Sequence, residues 1–372
     1  MDILRVVACF MVVTLHVMSE KIYDPWDNDM FFVAMLQCIC QPAVPLFFML
    51  SGAFSNDTNI SHYLKKIAKF LLIYIVFKVF YAVADCLFDH GFVALYLLNW
   101  DYGLTDLKTF HFHLWYLFIF SNILLLAPVI NSANKQNKNT DKYLTALFFI
   151  FCILRPKLQP VMIYENVNGN VLQMLLSLVE LEFSTDLGYF CMGKAVHNLL
   201  IEKKDYLKDL KRSRIIFAFS LILWMISVAY YQFETITYFK TNGKLHYDAL
   251  NRSNPAMCFS ALFLFATFEL LGFVQRDKRS EKLDDTSSKF AGIINILVPC
   301  TLGIYILHPF FIDLYSHIFG FTVHSFDPAL SVPLKVILVF ASCIAVVLPF
   351  MWVKRMLFSR ISCQKNSIEQ QK

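Results

Sequence analysis

Apolar segments long enough to cross a bilayer recur along the whole chain. A helix needs about 20 apolar residues to span a hydrocarbon core about 30 Å thick. Of the 372 residues, 57% are hydrophobic and only 16% are charged, against about a quarter charged in an ordinary soluble domain. This pattern excludes a soluble globular protein, a single anchor on a soluble head, and a disordered chain. It predicts an all-α polytopic integral membrane protein.

We predict about ten transmembrane helices, taken as apolar runs between polar breaks. The fifth run is short, because its dozen residues rise only about 18 Å. It either continues past Pro156 and Pro160 to Tyr164 or does not cross. The approximate bounds of the ten runs are 3–18, 30–54, 67–88, 112–130, 143–154, 171–197, 214–231, 256–275, 291–316 and 333–353.

The distribution of lysine and arginine orients these helices, because cytoplasmic loops collect basic residues. With ten spans and a cytoplasmic N-terminus, 23 of the 33 basic residues lie inside and eight lie outside. Without the fifth crossing, the basic segment 194–214 would move outside and the asymmetry would collapse. We therefore predict that both termini are cytoplasmic. An anionic bilayer leaflet accounts for the net charge of +5, so no nucleic-acid partner is implied.

The first apolar run contains two basic residues, Arg5 and His16, eleven positions apart. At about 100° per residue they lie about 20° from alignment on a helix, and they are about 16 Å apart along its axis. The two side chains therefore share one face, with Arg5 near the cytoplasmic surface and His16 beyond mid-membrane. Ionisable residues at membrane depth are functional candidates. The alternative is an arginine that extends to the headgroups and a histidine bonded to a neighbouring helix.

Two more histidines fall at a similar depth in other predicted helices. His113 opens the fourth run, and His308 lies in the outer half of the ninth run, just before Pro309. With His16 they are candidates for a catalytic cluster, although each taken singly is also explained as a core or interfacial histidine. We predict no metal site, and a three-histidine zinc site is the alternative. The cysteines lie mostly inside apolar runs without a CxxC pair, so no cysteine metal site is implied.

The sixth run carries three acidic residues, Glu180, Glu182 and Asp186, predicted to lie around mid-membrane. The last two are four positions apart and share one helix face. Such acids can orient or charge-balance a catalytic histidine, balance Lys78 of the third run, or form a proton relay. Glu269 in the eighth run is a weaker candidate, because it lies close to the inner end.

Four segments together resemble the membrane acyltransferase 3 family. LRVVACFMVVTLH (4–16) is similar to that family's first helix, marked by an arginine, ten residues and a histidine. VPLFFMLSGAF (44–54) resembles its second helix, HLWYL (113–117) its His-Leu-Trp segment, and IYILHPFF (304–311) its late Tyr-x-x-His segment. The four segments occur in the family's order over about 300 residues.

The resemblance implies transfer of an acyl group, usually acetyl, from cytoplasmic acyl-coenzyme A to a hydroxyl of a sugar or lipid-linked glycan. The protein would then be an O-acyltransferase of the bacterial inner membrane, with acetyl-coenzyme A as donor substrate and no tightly bound cofactor. We predict one transmembrane acyltransferase domain over 1–358, a short cytoplasmic tail over 359–372, and no appended hydrolase-like domain.

Residue roles follow from the chemistry of acyl transfer. His16 would act as the general base or be acylated itself, and Arg5 would bind the phosphates or amide arm of coenzyme A. His113, His308 or Tyr305 would donate a hydrogen bond to the developing oxyanion.

Two other functions remain open at this point. One is a transporter of a glycan intermediate or small anion that uses the buried acids as a proton relay. Inverted repeats would favour it, and none is detectable. The other is a structural partner in an envelope complex, which gives no reason for Arg5 and His16 to align.

Overall fold

The computed structural model describes residues 1–22, 30–87, 112–156, 184–242, 251–276 and 285–369, and no β-strand occurs in these ranges. The helical structure includes a 3-10 turn (Phe112–Leu114) and two π-helical turns (Phe149–Leu154 and Leu314–Ile318). The α-helices are α1 (Asp2–Ile22), α2 (Met30–Cys40), α3 (Ala43–Ala53), α4 (Ile60–Leu87), α5 (Trp115–Gln136), α6 (Thr140–Phe148), α7 (Thr185–Glu202), α8 (Leu210–Asn242), α9 (Pro255–Arg276), α10 (Asp285–Asp313) and α11 (Pro328–Glu369).

Eight segments in the described part of the chain are long and apolar enough to span a membrane, which confirms a multi-pass helical protein. The predicted fifth span corresponds to α6 with its π-helical turn, and the predicted sixth to α7. Neither is among the eight, and residues 157–183, on which both spans depend, lie outside the described residues. The count of ten and the side of each terminus therefore stay predictions. The eight segments are Asp2–Ser19, Phe31–Ala53, Ile60–Ala84, Trp115–Gln136, Leu210–Thr241, Pro255–Gly272, Ala291–Ile318 and Pro328–Trp352.

The second span is interrupted at Gln41 and Pro42, between α2 and α3. Pro42 cannot donate a backbone hydrogen bond, so the α2 ladder stops before it. Its own carbonyl accepts from the Leu46 amide at 2.9 Å and opens α3. The proline therefore separates two helices that together form one span.

Two glycines allow α3 and α7 to approach closely. A Cβ atom added to Gly52 would lie 1.9 Å from the Phe190 carbonyl oxygen, and one added to Gly193 would lie 2.2 Å from the Met49 carbonyl oxygen. Small residues at such crossings let helix backbones touch in a membrane protein. Gly52 and Gly193 therefore allow α7 to pack directly against α3.

The two ends of the bundle differ in character. Trp115, which begins α5, lies under Arg252, which precedes α9, and Thr185 at the start of α7 bonds to Ser253. We call this end the histidine end, because α1 brings His16 to it. We call the opposite end, where α3 ends and α4 begins, the basic end, for its exposed lysines Lys65, Lys66, Lys69 and Lys135.

A buried ammonium group holds the basic end together. Lys194 of α7 has 2% of its surface exposed. It donates to Asn131 Oδ1 at 2.8 Å, to Asn56 Oδ1 at 3.3 Å and to the Ser55 carbonyl. Asn131 of α5 donates to the Asp57 carbonyl at 2.7 Å. The three ammonium donors each have an acceptor, so this network joins the segment after α3 to α5 and α7.

Candidate functional site

Three histidines from separate elements meet at the histidine end of the bundle. The ring centres of His16 and His308 are 4.8 Å apart, those of His113 and His308 are 5.4 Å apart, and those of His16 and His113 are 6.4 Å apart. His16 comes from the second half of α1, His113 from the 3-10 turn before α5, and His308 from α10. The structure thus brings together the three histidines proposed from their depth in the sequence.

Hydrogen bonds between side chains and backbone hold these elements in register. The Tyr81 hydroxyl of α4 donates to the Ile306 carbonyl at 2.6 Å, and His113 Nε2 donates to the same oxygen at 3.3 Å. The Tyr305 hydroxyl donates to the His113 carbonyl. These bonds join α4, the 3-10 turn and α10 around the histidines.

Pro309 explains the orientation of His308. In an α-helix the amide of residue 309 would donate to the Tyr305 carbonyl, and proline has no amide hydrogen. His308 Nδ1 lies 2.7 Å from that oxygen and 3.3 Å from the Ile304 carbonyl. Carbonyls only accept, so Nδ1 carries the proton and Nε2 carries the lone pair. Nε2 is buried and has no hydrogen-bond partner among the described residues.

The three histidines differ in accessibility. His113 and His308 are buried, with 1% and 0% of their surface exposed. His16 keeps part of its surface accessible. Of the three residues, His16 is therefore the least buried.

The donor groups around His16 are already engaged in this conformation. Tyr305, His113 and His308 each donate to a backbone carbonyl. An oxyanion needs donors that are aimed at it before the reaction begins. The geometry therefore favours a supporting role for these three residues over the donor role expected from the sequence.

Arg5 lies apart from the histidine cluster. Because α1 is unbroken from Asp2 to Ile22, the separation of Arg5 and His16 along the helix is about 16 Å, as expected. Arg5 Nη1 is 3.7 Å from Asp2 Oδ1, and both side chains are well exposed, at 35% and 62%. Such a pair contributes little to stability, so the guanidinium remains available to an anionic ligand.

The acidic candidates among the described residues, Asp186 and Glu269, do not pair with the three histidines of the cluster. Asp186 lies in the first turn of α7, where its Oδ1 is 3.0 Å from Arg252 Nε. Lys78, which an acid was expected to balance, lies over the ring of Tyr74 at 5.8 Å. Glu269 pairs with His197 at 2.7 Å. Glu180 and Glu182 lie outside the described residues.

An apolar cavity of about 370 Å³ lies between α1, α2, α8 and α9. Val7 and Met11 line it from α1, and Trp224 lines it from α8. On the α1 helix these positions face away from Arg5 and His16. The cavity is therefore separate from the face that carries the histidine cluster.

A metal site in the part of the chain that the structure describes would require several ligating side chains arranged around one ion. No set of three or more His, Cys, Asp or Glu side chains there is arranged to hold a metal ion. Two nitrogens of the cluster, His113 Nε2 and His308 Nδ1, point at carbonyl oxygens.

Sequence reasoning missed two residues beside the site, Tyr81 and Arg252. Tyr81 lies inside an apolar run in which tyrosine is unremarkable, so nothing in the sequence marked it. Arg252 was counted only as a loop charge. The sequence feature that could have indicated the role of Arg252 is Asp186, because a buried carboxylate needs a cationic partner.

Comparison with known proteins agrees with this arrangement. A family model described as an acyltransferase domain matches residues 1–353. Searches of curated proteins and of solved structures gave no match. This chain is a bundle of membrane-spanning helices whose first helix carries an arginine and a histidine on one face. Because the family model matches nearly its whole length, the chain belongs to the membrane acyltransferase 3 family.

Proposed function

We propose that this membrane acyltransferase transfers an acetyl group from cytoplasmic acetyl-coenzyme A to a hydroxyl of a sugar or lipid-linked glycan. The observation that carries the proposal is the approach of the His16 ring to the buried His308 ring, whose centres are 4.8 Å apart. The family supports acyl transfer in general, while the donor, the acetyl group and the O-linked acceptor are inferred from the site's chemistry.

The donor would enter from the basic end of the bundle. Arg5 lies on the same face of α1 as His16, and its guanidinium can hold a phosphate or a carbonyl through two parallel hydrogen bonds. The separation of about 16 Å along the helix suits the long pantetheine arm of coenzyme A. The thioester carbon would then reach His16 while the nucleotide stays at the membrane surface.

His16 would accept the proton of the acceptor hydroxyl and then return it. As the acceptor oxygen attacks the thioester carbon, a C–O bond forms, the C–S bond breaks, and His16 takes the hydroxyl proton. The imidazolium then returns that proton to the departing coenzyme A sulfur. In the alternative route a His16 nitrogen attacks the thioester carbon, an N–C bond forms, the C–S bond breaks, and coenzyme A leaves as the thiol with the imidazole proton. The acceptor oxygen then attacks the acyl carbon, the N–C bond breaks, and the hydroxyl proton returns to His16.

His308 would support His16 in either route. Its Nδ1 proton is held by the Tyr305 carbonyl, so its buried Nε2 is an acceptor beside the His16 ring. A hydrogen bond from the protonated His16 to this nitrogen stabilises the imidazolium as it forms. His113, held by the Ile306 carbonyl, would keep the third side of the cluster closed to water.

The proposal is tested with purified protein in lipid and radiolabelled acetyl-coenzyme A. Consumption of the thioester above a protein-free control, or label retained on the protein, supports the function. A preparation that folds but neither consumes thioester nor retains label contradicts it. We propose the bacterial inner membrane as the location, with both termini cytoplasmic, which reporter fusions after Lys208 and Lys282 would test.

A further inference from the structure

Arg252 is held in a fixed position at the histidine end. Its Nε lies 3.0 Å from Asp186 Oδ1, and its guanidinium carbon lies 4.3 Å from the ring centre of Trp115. Its backbone carbonyl accepts from the buried Tyr189 hydroxyl at 2.7 Å. Three elements, α5, α7 and the segment before α9, therefore fix one arginine.

The surroundings of Arg252 are equally well ordered by hydrogen bonds. Ser253 bonds to Thr185 at 3.3 Å. Asn254 accepts from the Ala256 amide at 2.8 Å, which caps α9, and donates to Glu234 Oε2 at 3.0 Å. The segment cannot shift without breaking these bonds, so the guanidinium is preorganised.

The arginine is linked to the histidine cluster by a continuous row of aromatic rings. Trp115 under Arg252 lies 6.3 Å from Tyr116, Tyr116 lies 5.4 Å from Tyr305, and Tyr305 lies 6.0 Å from His308. A molecule at Arg252 is therefore beside the wall of the site and at the end of the bundle opposite Arg5.

The positive charge of Arg252 is balanced by the negative charge of Asp186. Asp186 is buried, with 8% of its side chain exposed, whereas 34% of the Arg252 side chain is exposed. An unpaired arginine would select an anion, but a neutral arginine–aspartate pair is better matched to uncharged hydroxyl oxygens. Arginine has five N–H donors in a fixed fork. The side chain forms an ion pair with Asp186 Oδ1 at 3.0 Å and keeps 34% of its surface exposed, so N–H donors remain for a ligand.

We propose that Arg252, positioned by Asp186 and Trp115, binds hydroxyl oxygens of a saccharide acceptor at the histidine end. Exposed N–H donors supply directional bonds to vicinal hydroxyls, and the adjoining aromatic surface packs against the apolar faces of a sugar ring. This inference rests on the proposed function and names the acceptor class of the same site.

A similar group at the basic end provides a matched control. Arg212 Nε lies 3.1 Å from Asp209, and its guanidinium lies 4.8 Å from the Tyr206 ring. Both charged partners there are about half exposed, at 54% and 46%. This group has the same chemistry as the Arg252 group but lies far from the histidines.

The test uses the full chain reconstituted in phosphatidylcholine vesicles with acetyl-coenzyme A and two probes, octyl glucoside and free glucose. We expect the wild type to release coenzyme A faster with at least one probe. Stimulation by octyl glucoside alone indicates a lipid-linked acceptor, and stimulation by both indicates a free one. Arg252→Gln should raise the probe KM about tenfold and leave the acetyl-coenzyme A KM within about twofold, with no change for Arg212→Gln.

A charge swap separates binding from a purely structural ion pair. Arg252→Asp combined with Asp186→Arg should recover the thermal stability lost in Arg252→Asp, but not the probe KM. Arg252→Lys, which keeps the charge without the fork, should also raise the probe KM. Recovery of the probe KM by the swap, an unchanged KM in Arg252→Lys, or no response of the wild type to either probe would overturn the inference. Absence of any acetyl-coenzyme A turnover contradicts the proposed function instead.

Discussion

His308 Nδ1 donates to the Tyr305 carbonyl at 2.7 Å, and that oxygen is available because Pro309 cannot donate to it. The loss of one helical hydrogen bond at Pro309 thus selects one tautomer of a buried histidine. The acceptor nitrogen, Nε2, is buried and has no hydrogen-bond partner among the described residues. The positions of Tyr305, His308 and Pro309 in the sequence are thus linked to the chemistry proposed for His16.

Replacing Pro309 should therefore separate stability from activity. Pro309→Ala restores an amide that competes with His308 for the Tyr305 oxygen, so His308 loses its fixed tautomer. An interior helical proline costs up to about 3 kcal/mol relative to alanine, so we expect an equal or higher melting temperature together with several-fold slower acyl transfer. Pro299→Ala in the same helix is the control for helix straightening alone. Transfer that is unchanged in Pro309→Ala would remove the tautomer argument.

The crossing of α3 and α7 should tolerate no added methyl group. Gly52→Ala and Gly193→Ala each place a Cβ within about 2 Å of a backbone oxygen on the other helix, and we expect a loss of about 3 kcal/mol or more. Gly272→Ala is the matched control, since nothing lies within 4 Å of its added Cβ and alanine favours a helix. Thermal unfolding in lipid measures the difference. Equal stability of Gly52→Ala and Gly272→Ala would show that the helices do not cross as described.

The buried ammonium of Lys194 should be essential to the fold. Lys194→Met leaves the Ser55 carbonyl and the amide oxygens of Asn56 and Asn131 without this donor. Of these residues Asn131 is buried, with 2% of its surface exposed, and a buried acceptor left unsatisfied costs about 1–3 kcal/mol, so the variant should unfold at a lower temperature. The exposed Lys204→Met serves as control. A melting temperature equal to that of the control is the contrary result.

Arg5 is expected to contribute only to the binding of acetyl-coenzyme A. Arg5→Ala removes a charge-assisted bond worth about 1.5–3 kcal/mol, which corresponds to a rise of about 10- to 100-fold in the KM for acetyl-coenzyme A. Arg5→Lys should recover only part of this, because an ammonium lacks the fork. Asp2→Asn breaks the weak pair with Arg5 and should leave this KM near its normal value. An unchanged KM in Arg5→Ala would exclude the donor-binding role.

Much of the architecture could be predicted from periodicity and charge. The apolar runs, the break at Pro42 and the close contact at Gly52 follow from local rules of helix formation and packing. The meeting of His16, His113 and His308 could be anticipated from their similar depth, because α1, the 3-10 turn before α5, and α10 each place one histidine at the same end. Depth alone could not tell which nitrogen of each ring carries the proton.

Other parts of the site depend on tertiary contacts that sequence does not encode locally. Asp186 was expected to serve a histidine or Lys78, but it pairs with Arg252, whose position is set by Tyr189 and Trp115. The engaged hydroxyl of Tyr305 likewise depends on how α10 packs against the turn at His113. Such partners become visible only when several helices are assembled.

The most direct test of the account is the rate of acetyl transfer by His16→Gln in purified protein reconstituted in lipid with radiolabelled acetyl-coenzyme A. Glutamine keeps a hydrogen-bonding group of similar reach but cannot take a proton or carry an acyl group. General-base contributions are about 10² to 10⁴ in rate, so we expect a loss of that size with the fold intact. His62 is an exposed histidine at the basic end that pairs with Asp57. The control variant His62→Gln should transfer acetyl groups at the normal rate. Near-normal transfer by His16→Gln would contradict the central claim and leave His16 as a packing residue.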